Sequence, residues 1–124
     1  MNKNNIINCG IIGYGYMGEI RHHTLSQNPN VKLVLICEKN DEKLLDNNSF
    51  DVVSDPKIVI HSDLIDAVFI CTPNYLIPKL TIQCLDRGKH VFTEKPPGRN
   101  LNDIIQIQNA EKRNPGAKLM FGFN

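Results

Sequence analysis

Cys9-Gly10-Ile11-Ile12-Gly13-Tyr14-Gly15-Tyr16-Met17-Gly18 is the stretch that decides the fold. An apolar run, Ile6 to Ile12, enters a Gly-x-Gly-x-x-Gly turn, and the turn opens a segment, Glu19 to Gln27, that can be helical. Each glycine has a physical task. Gly13 lets the chain turn sharply off a strand. Gly15 presents no side chain to hold a diphosphate away from the backbone. Gly18 lets the helix pack closely on the strand. The free N–H groups of the first helical turn would then face the anion, with the helix dipole behind them. The same spacing also occurs in a tight strand–helix turn that binds nothing. Two features favour a dinucleotide: the motif lies between a β-like and a helix-like run, and Glu38 ends the next apolar run, Val31 to Cys37. Glu38 stands 20 residues past Gly18, where this fold needs a carboxylate for the adenosine ribose hydroxyls.

Working outward, Ile6–Ile12 and Val31–Cys37 read as strands covered on both faces, because they are nearly continuous apolar runs. Asn28-Pro29-Asn30 ends the first helix. Lys39 to Ser49 is polar and weakly helical around Glu42 to Leu45, and Phe50 to Val53 is a brief strand. Asp55-Pro56 starts a short helix reaching His61, with Asp as cap and Pro in the first position. Ala67–Cys71 is a compact strand followed by Thr72-Pro73-Asn74. Leu76 to Arg87 is a helix capped by Gly88. His90–Thr93 is a strand followed by Glu94-Lys95-Pro96-Pro97-Gly98. Asn100 caps a helix over Leu101–Arg113, with Ile104, Ile105 and Ile107 among its apolar positions, and Leu119–Phe123 begins another strand. Strands alternating with helices predict an α/β, doubly wound parallel sheet.

A length of 124 residues suits one domain, and 41% hydrophobic with 22% charged residues is an ordinary globular composition. A net charge of +1 makes no electrostatic case for nucleic acid or an anionic membrane. The apolar run after the polar start is broken by Gly10 and Gly13, so neither a secretion signal nor a membrane span is expected, and the cytoplasm is the expected compartment. Cys9, Cys37, Cys71 and Cys84 form no Cys-x-x-Cys pair and read as small buried hydrophobes. No Cys and His cluster has metal-ligand spacing, and His22-His23, adjacent on a helix, point apart, so no metal is expected.

Ligands of such sheets bind beyond the carboxyl ends of the strands. Gly13 to Gly18, Glu38, Thr72 to Asn74 and Glu94 to Pro96 all fall there. The Thr-Pro-Asn turn can line a cofactor or be an ordinary strand-to-helix turn. Lys95, on a rigid loop above the crevice, can bind a substrate hydroxyl or move its proton, or can be a solvated lysine paired with an acid.

These blocks, with Leu35-Ile36-Cys37-Glu38, Ile65 to Asn74 and Gly88 to Pro96, resemble the N-terminal half of Gfo/Idh/MocA-type oxidoreductases over the whole chain. The resemblance implies an NAD(P)-binding Rossmann domain over residues 1–124, cradling NAD, with NADP as the alternative. It implies cofactor-binding roles for Gly13, Tyr14, Gly15, Tyr16, Met17, Gly18, Glu38, Lys39, Cys71, Thr72, Pro73, Asn74, Glu94, Lys95 and Pro96. It places Lys95 beside the nicotinamide and the reacting carbon of a sugar or polyol, as the catalytic residue, and implies a Lys-Pro bond that is often cis. Glu38 disfavours a 2′-phosphate, and Lys39 beside it partly offsets this. Ile77 stands where the family often carries a histidine. The family has a second domain that supplies the substrate pocket, a further catalytic residue and most contacts in its usual homo-oligomers. The expectation is therefore a fragment or truncated form that binds cofactor without turnover. Two other classes stay open: a non-catalytic nucleotide-binding or interaction module, and an S-adenosylmethionine-dependent methyltransferase. The latter's glycine turns usually follow an acid, which Asn8-Cys9-Gly10 does not offer.

Overall fold

A computed structural model describes residues 5–40, 44 and 49–122. Six strands form one parallel sheet: β1 (Ile7–Ile12), β2 (Val31–Cys37), β3 (Asp51–Val53), β4 (Ala67–Ile70), β5 (His90–Glu94) and β6 (Leu119–Gly122). Their order is β3-β2-β1-β4-β5-β6, the doubly wound order expected of alternating strands and helices. The chain runs outward from β1 to β3, then returns to β4 on the other side of β1. The carboxyl ends of β1 and β4 therefore diverge in their connections and leave a crevice between them.

Helices cover the sheet unequally. α2 (Pro56–His61), α3 (Ile77–Asp86) and α4 (Leu101–Arg113) cover one face, where Ile12, Val68, Ile70 and Val91 pack with Val59, Ile77, Leu85 and Ala110. α1 (Tyr16–Ser26) covers the other, where Leu25, with Leu44, closes over Cys9, Ile11 and Ile36. Its cover extends over β1 and β2. Phe69 and Phe92, on β4 and β5, are only partly buried, and Met120 on β6 is 64% exposed.

Local chemistry sets the helix ends. Asp55 accepts from the Lys57 N–H at 2.9 Å, with Pro56 in the first turn of α2. Asn100 accepts from the Asp103 N–H at 2.9 Å to begin α4. Gly88, at φ +76°, closes α3: its N–H reaches the Leu85 carbonyl and that of Lys89 reaches Cys84, a Schellman pair.

Several boundaries move. α1 begins at Tyr16, not Glu19, because Gly15 is its cap and the Glu19 N–H bonds the Gly15 carbonyl at 3.0 Å. The glycine turn is thus already the first turn of helix. Strand β4 stops at Ile70, and a 3₁₀ turn, Asn74–Leu76, precedes α3. β5 extends to Glu94 and pairs it with Gly122. On α4 the buried residues are Ile107 and Ala110, whereas Ile104 and Ile105 are 39% and 41% exposed, since α4 presents only a narrow stripe to the sheet. The helical tendency expected at Glu42–Leu45 and the strand residue Phe123 lie outside the described residues, apart from a buried Leu44.

Candidate dinucleotide-binding site

The turn between β1 and α1 is shaped by its glycines in three distinct ways. Gly13 adopts φ +94°, a left-handed conformation, and a Cβ on it would lie 2.8 Å from the Cys71 carbonyl oxygen. Its N–H bonds the Cys37 carbonyl at 2.9 Å, stitching the turn to the end of β2. A Cβ on Gly18 would run into the Gly13 carbonyl oxygen, so the helix can fold back on its own turn only with glycine there. Gly15 differs. Its φ is −81°, open to any residue, and a Cβ there would meet, beyond its chain neighbours, no atom of the described residues within 4 Å. Neither backbone strain nor packing requires glycine at this position.

Glu38 follows β2 and turns its carboxylate toward the glycine turn. One oxygen accepts from the Tyr14 N–H at 3.0 Å, the other from the Lys39 N–H at 2.8 Å. A carboxylate offers about four lone-pair sites, so two are used in holding it in place and two are left over. The Tyr14 side chain points to α1 instead, where its hydroxyl meets His22 Nδ1 at 2.8 Å and the His22 ring packs edge-on to Phe50 at 5.0 Å. Burial pushes the Tyr14 phenol up and holds the His22 imidazole below its ordinary value of 6.5, so both are neutral near pH 7.

A cleft of about 520 Å³ joins these groups. Of the residues singled out in the sequence, Gly13, Tyr14, Gly15, Glu38, Lys39, Cys71, Thr72 and Pro73 line it. Tyr16, Met17 and Gly18 form the first turn of α1 beside it, Tyr16 78% exposed and Gly18 buried. Asn74 opens the 3₁₀ turn, and its carbonyl accepts from the Ile77 N–H. Ile77 itself is 1% exposed and belongs to the core, so it contributes nothing to the cleft wall. The apolar wall is supplied by Tyr75, Leu76 and Leu80, with Ser54 and Pro56 opposite, none of which the sequence reading singled out as site residues. Tyr75 and Leu76 are large apolar side chains left 56% and 38% exposed beside the Thr-Pro-Asn turn, a signal their position could have given.

The fourth strand end lies apart from this cleft. Lys95 and Pro96 are exposed, and the Lys95–Pro96 peptide is cis. Glu94 is buried, and its carboxylate is held by Arg21 of α1, with Nε–Oε2 2.6 Å and Nη2–Oε1 3.1 Å. Its side chain is therefore engaged with protein, and Arg21 is a further residue the sequence reading did not single out.

The cysteines offer no thiolate chemistry. All four are free, and burial pushes Cys9 and Cys37 to about 11 and Cys71 and Cys84 to about 12. Among the described residues no group of three His, Cys, Asp or Glu side chains could hold a metal, and no helix is long and apolar enough to cross a membrane. A larger, shallower depression of about 590 Å³ lies over the amino ends of β4, β5 and β6. It has no glycine turn and no helix N-terminus, so the crevice at the carboxyl ends is the better candidate for an anionic ligand.

A parallel sheet of this order, with a glycine turn capping the first helix and an acid at the end of β2, defines a Rossmann-type dinucleotide-binding domain. Residues 7–123 match the Gfo/Idh/MocA family, described as an oxidoreductase family with an NAD-binding Rossmann fold, and the chain belongs to it. It is 30% identical over 118 residues to 2,7-anhydro-N-acetylneuraminate hydratase of Escherichia coli, covering 94% of this chain and 32% of that protein. It is 29% identical over 119 residues to myo-inositol 2-dehydrogenase of Thermotoga maritima, covering 93% and 35%. The crystal structure of scyllo-inositol dehydrogenase from Lactobacillus casei, with bound NAD(H) and scyllo-inositol, superposes with a TM-score of 0.87 at 27% identity, covering 94% and 36%. The chain thus spans about a third of the length of these relatives.

Proposed function

We propose that the crevice binds NAD(H) for hydride transfer to or from a hydroxyl-bearing carbon of a sugar or polyol. The observation that carries the reading is Gly15. The fold itself uses Gly13 and Gly18, whereas among the described residues nothing fills the space beside Gly15, which is where a diphosphate can approach the backbone. The N–H groups at the start of α1 bind the phosphates, and Glu38, preset by the Tyr14 and Lys39 amides, takes the adenosine ribose hydroxyls. Thr72 and Pro73 wall the cleft toward the nicotinamide end. NAD supplies the hydride chemistry when bound. Lys95 receives or returns the hydroxyl proton at its amine. Two inositol dehydrogenases among the similar proteins support a polyol as substrate. A relative named as a hydratase supports a second reading, in which the substrate is a sugar acid and the net reaction is not an oxidation.

Glu38 repels a 2′-phosphate, so NAD is the preferred cofactor. Because the relatives are about three times as long, this domain alone is proposed to bind cofactor without turning over. Calorimetric titration with NAD and with NADP tests the reading: binding of NAD, tighter than NADP, is expected. A folded chain that binds neither would refute it, and NAD-dependent oxidation of a polyol by this chain alone would refute the inactive-domain reading.

A further inference from the structure

The helix that begins at the glycine turn also reaches the strand that carries Lys95, and it does so through one side chain. α1 packs on β1 and β2. β5 lies two strands beyond β1, roughly 10 Å across the sheet. Arg21 bridges that gap. Its guanidinium lies 4.7 Å over the Phe92 ring, crosses beside the Phe69–Phe92 pair, and grips both Glu94 oxygens in a bidentate pair. Gly122 on β6 makes room for this arrangement: a Cβ there would lie 2.8 Å from the Phe92 ring and 3.1 Å from Arg21 Nη2.

The pair is mostly shielded from water, with side-chain exposures of 22% for Arg21 and 9% for Glu94. A fork of two charge-assisted bonds fixes direction as well as distance, which a single point charge does not. Glu94 is the last residue of β5, and Lys95 follows it directly. The main chain leaving Glu94 is therefore held on one side by the ladder to Gly122 and, through its carboxylate, by α1.

We infer that Arg21 is a positioning residue: by holding Glu94 it fixes Lys95 relative to the glycine turn, so that one bound dinucleotide meets the turn with its diphosphate and Lys95 with its nicotinamide end. The inference rests on the NAD(H) reading above and adds to it a mechanical link between the two ends of the site. Arg21 touches neither end of the cofactor in this account.

The test uses two probes on the whole chain. ADP-ribose carries the adenosine, the diphosphate and the second ribose but no nicotinamide, and NADH carries all of them and fluoresces from its dihydronicotinamide. Wild-type chain is expected to bind NADH more tightly than ADP-ribose, with enhanced fluorescence. Arg21→Met should bind ADP-ribose within about twofold of wild type yet lose about tenfold in NADH affinity, with the fluorescence enhancement reduced. Arg21→Lys, which keeps the charge but not the fork, should fall between. A merely structural role would weaken both probes by the same factor, and that outcome overturns the inference, as does an unchanged ratio. Should Arg21→Met fail to fold, Glu94→Gln gives the same decision, because it weakens the fork and leaves the arginine in place. A folded wild type that binds neither probe refutes the NAD(H) reading itself. One that binds both equally refutes only the positioning role.

Discussion

Gly15→Ala separates ligand from fold more sharply than any other substitution in this chain. The native φ of −81° suits alanine, and the added methyl would meet no atom of the described residues within 4 Å beyond its chain neighbours. Alanine is a poorer helix cap than glycine, but it also restricts the unfolded chain, and the two terms, each roughly 0.5–1 kcal/mol, oppose each other. The net change in stability should stay within about 0.5 kcal/mol, or about 2 °C in the melting temperature of a domain this size. Binding should respond very differently. A methyl in the path of the diphosphate pushes it off the first-turn N–H groups, and each charge-assisted bond lost is worth about 1.5–3 kcal/mol. Losing one lowers NAD affinity by about tenfold to about 150-fold. Gly18→Ala is the control: its methyl meets backbone that cannot retreat, and overpacking should cost about 2 kcal/mol of stability before any ligand is added. The assay is a melt and a calorimetric titration on both variants. If Gly15→Ala binds NAD as wild type does, the diphosphate does not approach Gly15, and the reasoning about the turn is wrong.

Three further outcomes follow from the same structure. Glu38→Ala removes the acceptor for the Tyr14 and Lys39 amides along with the ribose contact, so NAD affinity should fall at least about tenfold and the preference over NADP should shrink, both read by calorimetry. Lys89 is 6% exposed and donates to the Ser62 and Ile65 carbonyls at 2.6 and 2.9 Å; Lys89→Met removes both bonds, leaves Ser62 with only the 3.4 Å bond from the Ile65 N–H, and should cost about 2 kcal/mol in a urea melt without changing NAD affinity. His22, held below 6.5 first by burial and then by His23, resists protonation when folded. Its unfolded form takes up a proton below about pH 6.5, so stability should fall as pH drops from there through the lowered native value. His22→Gln should flatten that part of the melting-temperature profile, and an unchanged slope would remove His22 as its source.

The succession of strands and helices along the chain was legible because it depends on local chemistry. Apolar runs, Asp55-Pro56, Asn100 and Gly88 specify their elements from within a few residues, and the spacing from Gly18 to Glu38 brings an acid to the turn. Errors came where a residue serves two masters. The glycine turn read as a loop because glycine disfavours helix, yet Gly18 lies so close to the Gly13 carbonyl that a side chain would not fit, and the first helical turn takes glycine despite about 1 kcal/mol of propensity. The exposure of Ile104 and Ile105 is likewise tertiary: α4 meets the sheet through Ile107 and Ala110, and nothing in its own periodicity says how narrow that contact is.

Arg21 shows why long-range pairs stay hidden. It sits 73 residues from Glu94 in sequence, and each alone reads as a solvent-facing charge on a helix or an acid at a strand end. Only the strand order, which carries β5 to within reach of α1 across β4, makes them partners. The same order leaves the α1 face of β4, β5 and β6 without a covering helix among the described residues, so the arginine lies on an aromatic surface that would otherwise meet water. A charged side chain suits that place in two ways: its planar face covers Phe92, and its edge neutralises a carboxylate that burial would make costly alone. An apolar residue at position 21 could provide the first contact and not the second. Packing alone therefore does not account for arginine here, whereas the need to hold the end of β5 does.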